Sequence, residues 1–272
     1  MDEVVWRERS KLGMFQSIGR MQVIAANVFR EVLRDRVLYL LGLYAIGMAL
    51  AAQLLPQLSA MSGDKVIVDV GLGMMHLLGV LLAIFVGTGL VNKEIEKRTV
   101  LVLMAKPVSR VEFIVGKHLG LSAVLGLLVV AMTLIYGAVL FLSRIPYDWV
   151  ATVISSGCLW LLLSLITAIA IGFGVFTSSL LAITMTIAVC LMGSVSQDMV
   201  ALGKLTQNPL IERTTRILYL ILPDFARLDL KNQVVYGLLP PLESLLQNVG
   251  YGMLYIVLVL GIAAAIFSMR EF

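Results

Sequence analysis

Charge is what this chain has least of. Only 14% of its 272 residues are Asp, Glu, Lys or Arg, against about 25% in an ordinary soluble domain. With 60% hydrophobic residues, that deficit excludes a soluble globular fold. Between Asp148 and Asp198 there is no charged residue at all. The two cysteines, Cys158 and Cys190, both sit inside apolar runs and read as small buried hydrophobes, not as a disulfide framework. With only His76 and His118, no Ser/His/Asp or Cys/His set can be assembled, and no intramembrane Asp pair or His-Glu metal motif is present. His76 follows Met74-Met75, but one His without a neighbouring Cys is a poor soft-metal site; lipid-facing or packing residues are expected there. His118 reads as a helix-end residue at the membrane surface. Gly116-Lys117 is not a phosphate cradle, because Val111 stands where the first Gly belongs and His118 where Ser or Thr belongs. The chain is therefore expected to be no ATPase and to hold no metal or cofactor. The net charge of +4 comes without a basic stripe interleaved with aromatics, so nucleic acid is not an expected partner.

What is there is membrane. A spanning helix needs about 20 apolar residues, and six segments qualify, at roughly 37–56, 71–91, 119–142, 150–175, 179–196 and 249–268. The fourth and fifth are divided only by the turn chemistry of Gly172-Phe173-Gly174 and Thr177-Ser178-Ser179, with a re-entrant hairpin as the alternative. The first apolar run starts near Val37, too late for a cleavable signal peptide. The sequence thus predicts an all-α polytopic protein: residues 1–36 a tail and interfacial helix, residues 37–272 a six-span domain. Residues 1–13 are polar and read as a loose tail. From Met14 to Arg36 apolar residues recur at helical spacing opposite Arg20, Arg30, Glu31 and Arg34, which predicts an amphipathic helix in the headgroup plane. Arg30, Arg34, Arg36 and Lys117 are the expected anchors to anionic headgroups.

Basic residues orient the spans. Seven lie in the N-terminal segment and six in 92–118, against Lys65 alone in the first opposite loop and Arg144 alone in the next. Both termini and the 92–118 loop are therefore expected in the cytoplasm, and the 197–248 loop outside. That long loop contains Ile217–Leu222, apolar but too short to span, stopped by Pro223-Asp224. Short amphipathic helices at the outer interface are expected.

The only long charged interruption of the first two-thirds is Asn92–His118. Asn92–Met104 reads as a short helix with a Glu94–Arg98 pair. Pro107 ends it, and Ser109 with Glu112 supplies a capping box for the next helix. Gly116-x-x-x-Gly120 and the glycines at 71, 73, 87 and 89 allow close helix approach without naming a partner. The span cores hold no Asp, Glu, Lys or Arg, which disfavours ion-coupled transport.

Glu94-x-Glu96-x-x-Thr99, Leu103, Pro107-Val108-Ser109-Arg110 and Gly116-Lys117 resemble the loop between the second and third spans of ABC-2 type transporter permeases. The family usually has Gly before the Thr, where this chain has Arg98. The resemblance implies a coupling helix that docks on a separate ATPase subunit, which carries the ATP and Mg. It further implies two ATPase subunits, a second copy of this chain or a related permease, and the bacterial cytoplasmic (inner) membrane. Glu94, Glu96, Lys97, Arg98, Thr99 and Lys106 would face or flank the ATPase groove, while Pro107, Ser109 and Arg110 would shape and anchor the elbow. Within the family, the long outer loop with Pro223-Asp224-Phe225 leans toward permeases that transmit motion to an outer partner protein, such as the copper-maturation permease of nitrous-oxide reductase. An ion-coupled carrier and a non-transporting scaffold are the competing classes.

Overall fold

Hydrocarbon offers no hydrogen bonds, so a chain that crosses it must satisfy its backbone internally, and the helix does so locally. The computed structural model describes residues 2–58, 63–96, 109–206 and 208–269, and among them every element is helical. Helix α1 (Asp2–Val32) passes through a π-helical stretch, Leu33–Val37, into α2 (Leu38–Leu58). Then come α3 (Gly63–Glu96), α4 (Arg110–Leu142), α5 (Trp149–Phe176), α6 (Ser179–Ser194), α7 (Ser196–Leu205) and α8 (Pro209–Ile221). A 3₁₀ turn (Phe225–Arg227), α9 (Lys231–Tyr236) and α10 (Leu242–Met269) complete the chain. The expected loose tail is helical from Asp2 onward. The expected 92–104 helix is not separate at its start, since Asn92–Glu96 prolongs α3; residues 97–108 lie outside the described residues.

Helices α2, α3, α4, α5 and α10 are each long and apolar enough to cross a membrane. The protein is a multi-pass membrane protein. The fifth predicted span differs. Helix α6 has 16 residues, about 24 Å, and α7 continues it at an angle of 54°. The pair is a broken element, bent at Val195, which gives α7 no side-chain N-cap. The division before it falls at Thr177–Ser178 and not at the glycines: Thr177 Oγ1 donates to Phe173 O (2.8 Å), closing α5.

Helix α5 is the axis. It is apolar all round, and 72% of its span is buried, against 17% for α2. Buried hydroxyls along it find partners within the bundle: Thr167 bonds Leu163 O (2.9 Å), and Ser156 bonds Thr133 Oγ1 on α4 (2.8 Å). Asp148 caps its start by accepting from Val150 N and Ala151 N. Against α5 lie α3, α4 and α10.

Helix α1 is not isolated in a headgroup layer but packs along α4. The contact explains Gly116 and Gly120. A Cβ at Gly120 would stand 2.6 Å from Ala25 O and 2.7 Å from Val28 Cβ; one at Gly116 would meet Ile24 Cβ at 2.9 Å. Because the obstacle at Gly120 includes a backbone carbonyl, it cannot rotate away. Gly120→Leu is expected to lever α1 off α4 and destabilise the fold by about 1–3 kcal/mol, read as a lower unfolding midpoint in lipid nanodiscs. An unchanged midpoint would show that α1 does not need this contact.

On the side away from α4's start, the chain from α7 to α9 is more than a surface layer. Phe225, Leu228 and Leu230 are buried, which departs from the interfacial helices expected there. Asp224 gathers this segment. Its Oδ2 accepts from Gln197 Nε2 (2.8 Å), Tyr219 Oη (3.1 Å) and Arg227 Nε (3.1 Å), and its backbone N–H donates to Tyr251 Oη (2.9 Å). Helix α8 keeps the expected surface character: it buries no residue and exposes Leu210, Leu220 and Ile221.

Candidate coupling site

The first two turns of α4 collect three other helices. Ser109 is the N-cap, with extended backbone (φ −72°, ψ 152°). Its Oγ accepts from Glu112 N (3.1 Å), while Glu112 Oε2 accepts from Ser109 N (2.9 Å). This reciprocal box satisfies two donors that a helix start otherwise leaves unpaired. The same carboxylate takes a two-pronged bond from Arg20 of α1, Nε to Oε2 at 3.1 Å and Nη2 to Oε1 at 2.8 Å. Glu112's side chain is 7% exposed, so these bonds decide whether its charge can stay in so dry a place.

One turn on, Lys117 Nζ donates to Glu94 Oε1 of α3 (2.5 Å) and lies 5.5 Å from the Phe113 ring centre. Arg110 Nη1 reaches the carboxyl end of α10, donating to Phe267 O (2.6 Å) and Ser268 O (3.0 Å). A cation there meets carbonyls that have no partner within their own helix. Phe113 stacks on Phe267 with centres 5.7 Å apart. Asn92, 3% exposed, joins the end of α3 to the end of α5. Oriented to match its surroundings, its amide nitrogen donates to Thr177 O (2.9 Å) and Gly174 O (3.0 Å). The ends of α3, α5 and α10, the start of α4 and the middle of α1 thus meet on one face.

The sequence profile of the ABC-2 family transporter protein matches residues 22–272, nearly the whole chain. The chain belongs to that family. A search of the curated proteins finds no match. As an ABC-2 family member the protein is a membrane component of a transporter and not itself an ATPase.

The site residues expected in this ABC-2 protein divide by position. Ser109, Arg110, Glu94 and Lys117 come together at the start of α4. Glu96 ends α3, and Lys97, Arg98, Thr99, Lys106 and Pro107 lie outside the described residues. Glu94 accepts from Lys117 across the bundle, and the pairing with Arg98 expected from the sequence falls outside the described residues. Lys117, expected among headgroups, is 7% exposed and turned inward to the Glu94 carboxylate. Arg110 likewise points to the α10 carbonyls. Arg30 is exposed near the end of α1; Arg34, also exposed, and Arg36 fall in the π-helical stretch. His118 is not a surface residue: it is 4% exposed between α4 and α5, its Nε2 3.0 Å from Ser164 O. Sequence reasoning missed Arg20 as the partner of Glu112 and Asn92 as the clasp on α5. The signal was faint in both: a basic residue on a polar helix face, and a lone amide after an apolar run.

Arg20→Met is expected to cost about 1–3 kcal/mol, since it strips a buried carboxylate of its cation. Adding Glu112→Gln should return part of that loss. A double-mutant cycle by denaturant unfolding measures it, and simply additive losses would mean that the two side chains are not coupled.

Proposed function

We propose that the protein is the permease subunit of an ATP-driven transporter, coupled through its 92–118 loop to a separate ATPase subunit. Two copies of this chain would pair with two ATPase subunits, which bind the ATP and Mg. The chain would sit in the bacterial cytoplasmic membrane with both termini and the loop in the cytoplasm, and would drive export or pass motion to a partner outside. One observation carries this reading. Residues 97–108 connect the end of α3 to Ser109, where α1, α3 and α10 are all fastened to α4. A push on that segment therefore loads four helices at once. Packed helices move as rigid bodies and do not absorb such a load by local bending.

The test is a mild-detergent pull-down of the tagged chain with mass determination and an ATPase assay. Two copies with two ATPase subunits are expected; the chain recovered alone, even after gentle cross-linking, would sink the proposal. Reversing the charges of Lys97 and Arg98 together should cut ATPase capture by about tenfold or more without moving the melting temperature.

A further inference from the structure

A cavity of about 640 Å³ opens between α3, α5, α6 and the segment that carries the 3₁₀ turn and α9. That is an ordinary size for a small-ligand site. Nothing in the coupling site touches it. Its walls divide by chemistry. Leu77, Val80, Leu162 and Ile166 form an apolar side, and at Gly73 no atom lies within 4 Å of where a Cβ would be. His76, Asp229, Lys231 and Gln233 form the polar side.

The charges on the polar side cancel. Lys231 Nζ is 2.9 Å from Asp229 Oδ2, and His76 Nδ1 is 3.9 Å from Asp229 Oδ1. An ionic head entering from the membrane would find no counter-charge left over, and an uncompensated charge is not tolerated in such surroundings. One polar atom is left wanting: Gln233 Oε1 is buried and has no hydrogen-bond partner. An acceptor without a donor, beside a neutralised ion pair and a hydrocarbon wall, describes the complement of a particular molecule.

We propose that this cavity binds an uncharged amphiphile whose polar end offers hydroxyl or amide donors, with its hydrocarbon along Val80, Leu162 and Ile166 and a donor on Gln233 Oε1. The site is distinct from the coupling face and stands without it. Binding is read on the chain alone, with no nucleotide or ATPase, so failure of this assignment and failure of the coupling reading are separate results.

The test uses the full chain in neutral-phospholipid nanodiscs and a monoacylglycerol with a diazirine in its acyl chain. Cross-linked peptides are mapped, with unlabelled monooleoylglycerol, oleylamine and oleate as uncharged, cationic and anionic competitors. Cross-links should concentrate on residues 77–80 and 162–166 and be displaced by the uncharged competitor at about tenfold lower concentration than by either charged one. Gln233→Leu should weaken binding about five- to tenfold, the loss of one ordinary hydrogen bond. Ala226→Phe, which places a ring in the cavity, should abolish it, both variants being checked for wild-type melting. Labelling spread evenly over the outward helix faces would overturn the proposal, as would equal competition by the three amphiphiles. Unchanged affinity in Gln233→Leu would overturn it too, even if Ala226→Phe blocks labelling.

Discussion

A nearly dry carboxylate sets the arrangement of one whole face of this protein. Glu112 can stay ionised only if donors surround it, and the donors come from different parts of the chain: Ser109 N from its own cap, Nε and Nη2 from Arg20 on α1. The start of α4 adds the positive end of the helix dipole. Because each donor has one workable position, a single charge fixes how the chain enters α4 and at what height α1 crosses it. The register follows along the helix. Glu112, Gly116 and Gly120 are four residues apart and share a face, so the ion pair and the two close backbone approaches to α1 belong to one contact.

The opposite end is built on the same principle with other residues. Asp224, 2% exposed, draws Gln197, Tyr219 and Arg227 onto one oxygen and anchors its backbone on Tyr251. Burying Phe225 against Gly193, whose missing side chain leaves room for the ring, places that turn inside the bundle. Each end of the molecule is therefore held by a buried acid that collects separate elements, with α5 as the uncharged axis between. The ties have polar groups and can be exchanged; the axis has close packing and cannot.

The surface turned to the bilayer is what the composition demands. Leu119, Leu127, Val130, Leu134 and Phe141 lie exposed along α4, and Leu254, Val257 and Ile262 along α10. In water such faces would drive aggregation. In lipid they cost nothing, and helix association rests on fit, on small residues and on internal hydrogen bonds. Gly87 against Ala170 and the Ser122–Ser164 bond (3.0 Å) are examples at the α5 interfaces.

The sequence by itself determined the class, the positions of five of the spans, the presence of a division between α5 and α6 and the capping box at Ser109, because each depends on local matters: hydrophobic length, turn chemistry and a side chain reaching three residues along. It also marked Pro223-Asp224 as a stop. Only the tertiary structure decided which charge meets which. Glu94 bonds Lys117 on another helix, and Glu112 bonds Arg20 from far away. Electrostatic partners are chosen by distance in space and by shared loss of water, and neither quantity is written in spacing along the chain. The same holds for His118, for the buried Phe225 and for the cavity beside Gln233. Each is a property of surfaces that exist only once the helices have met.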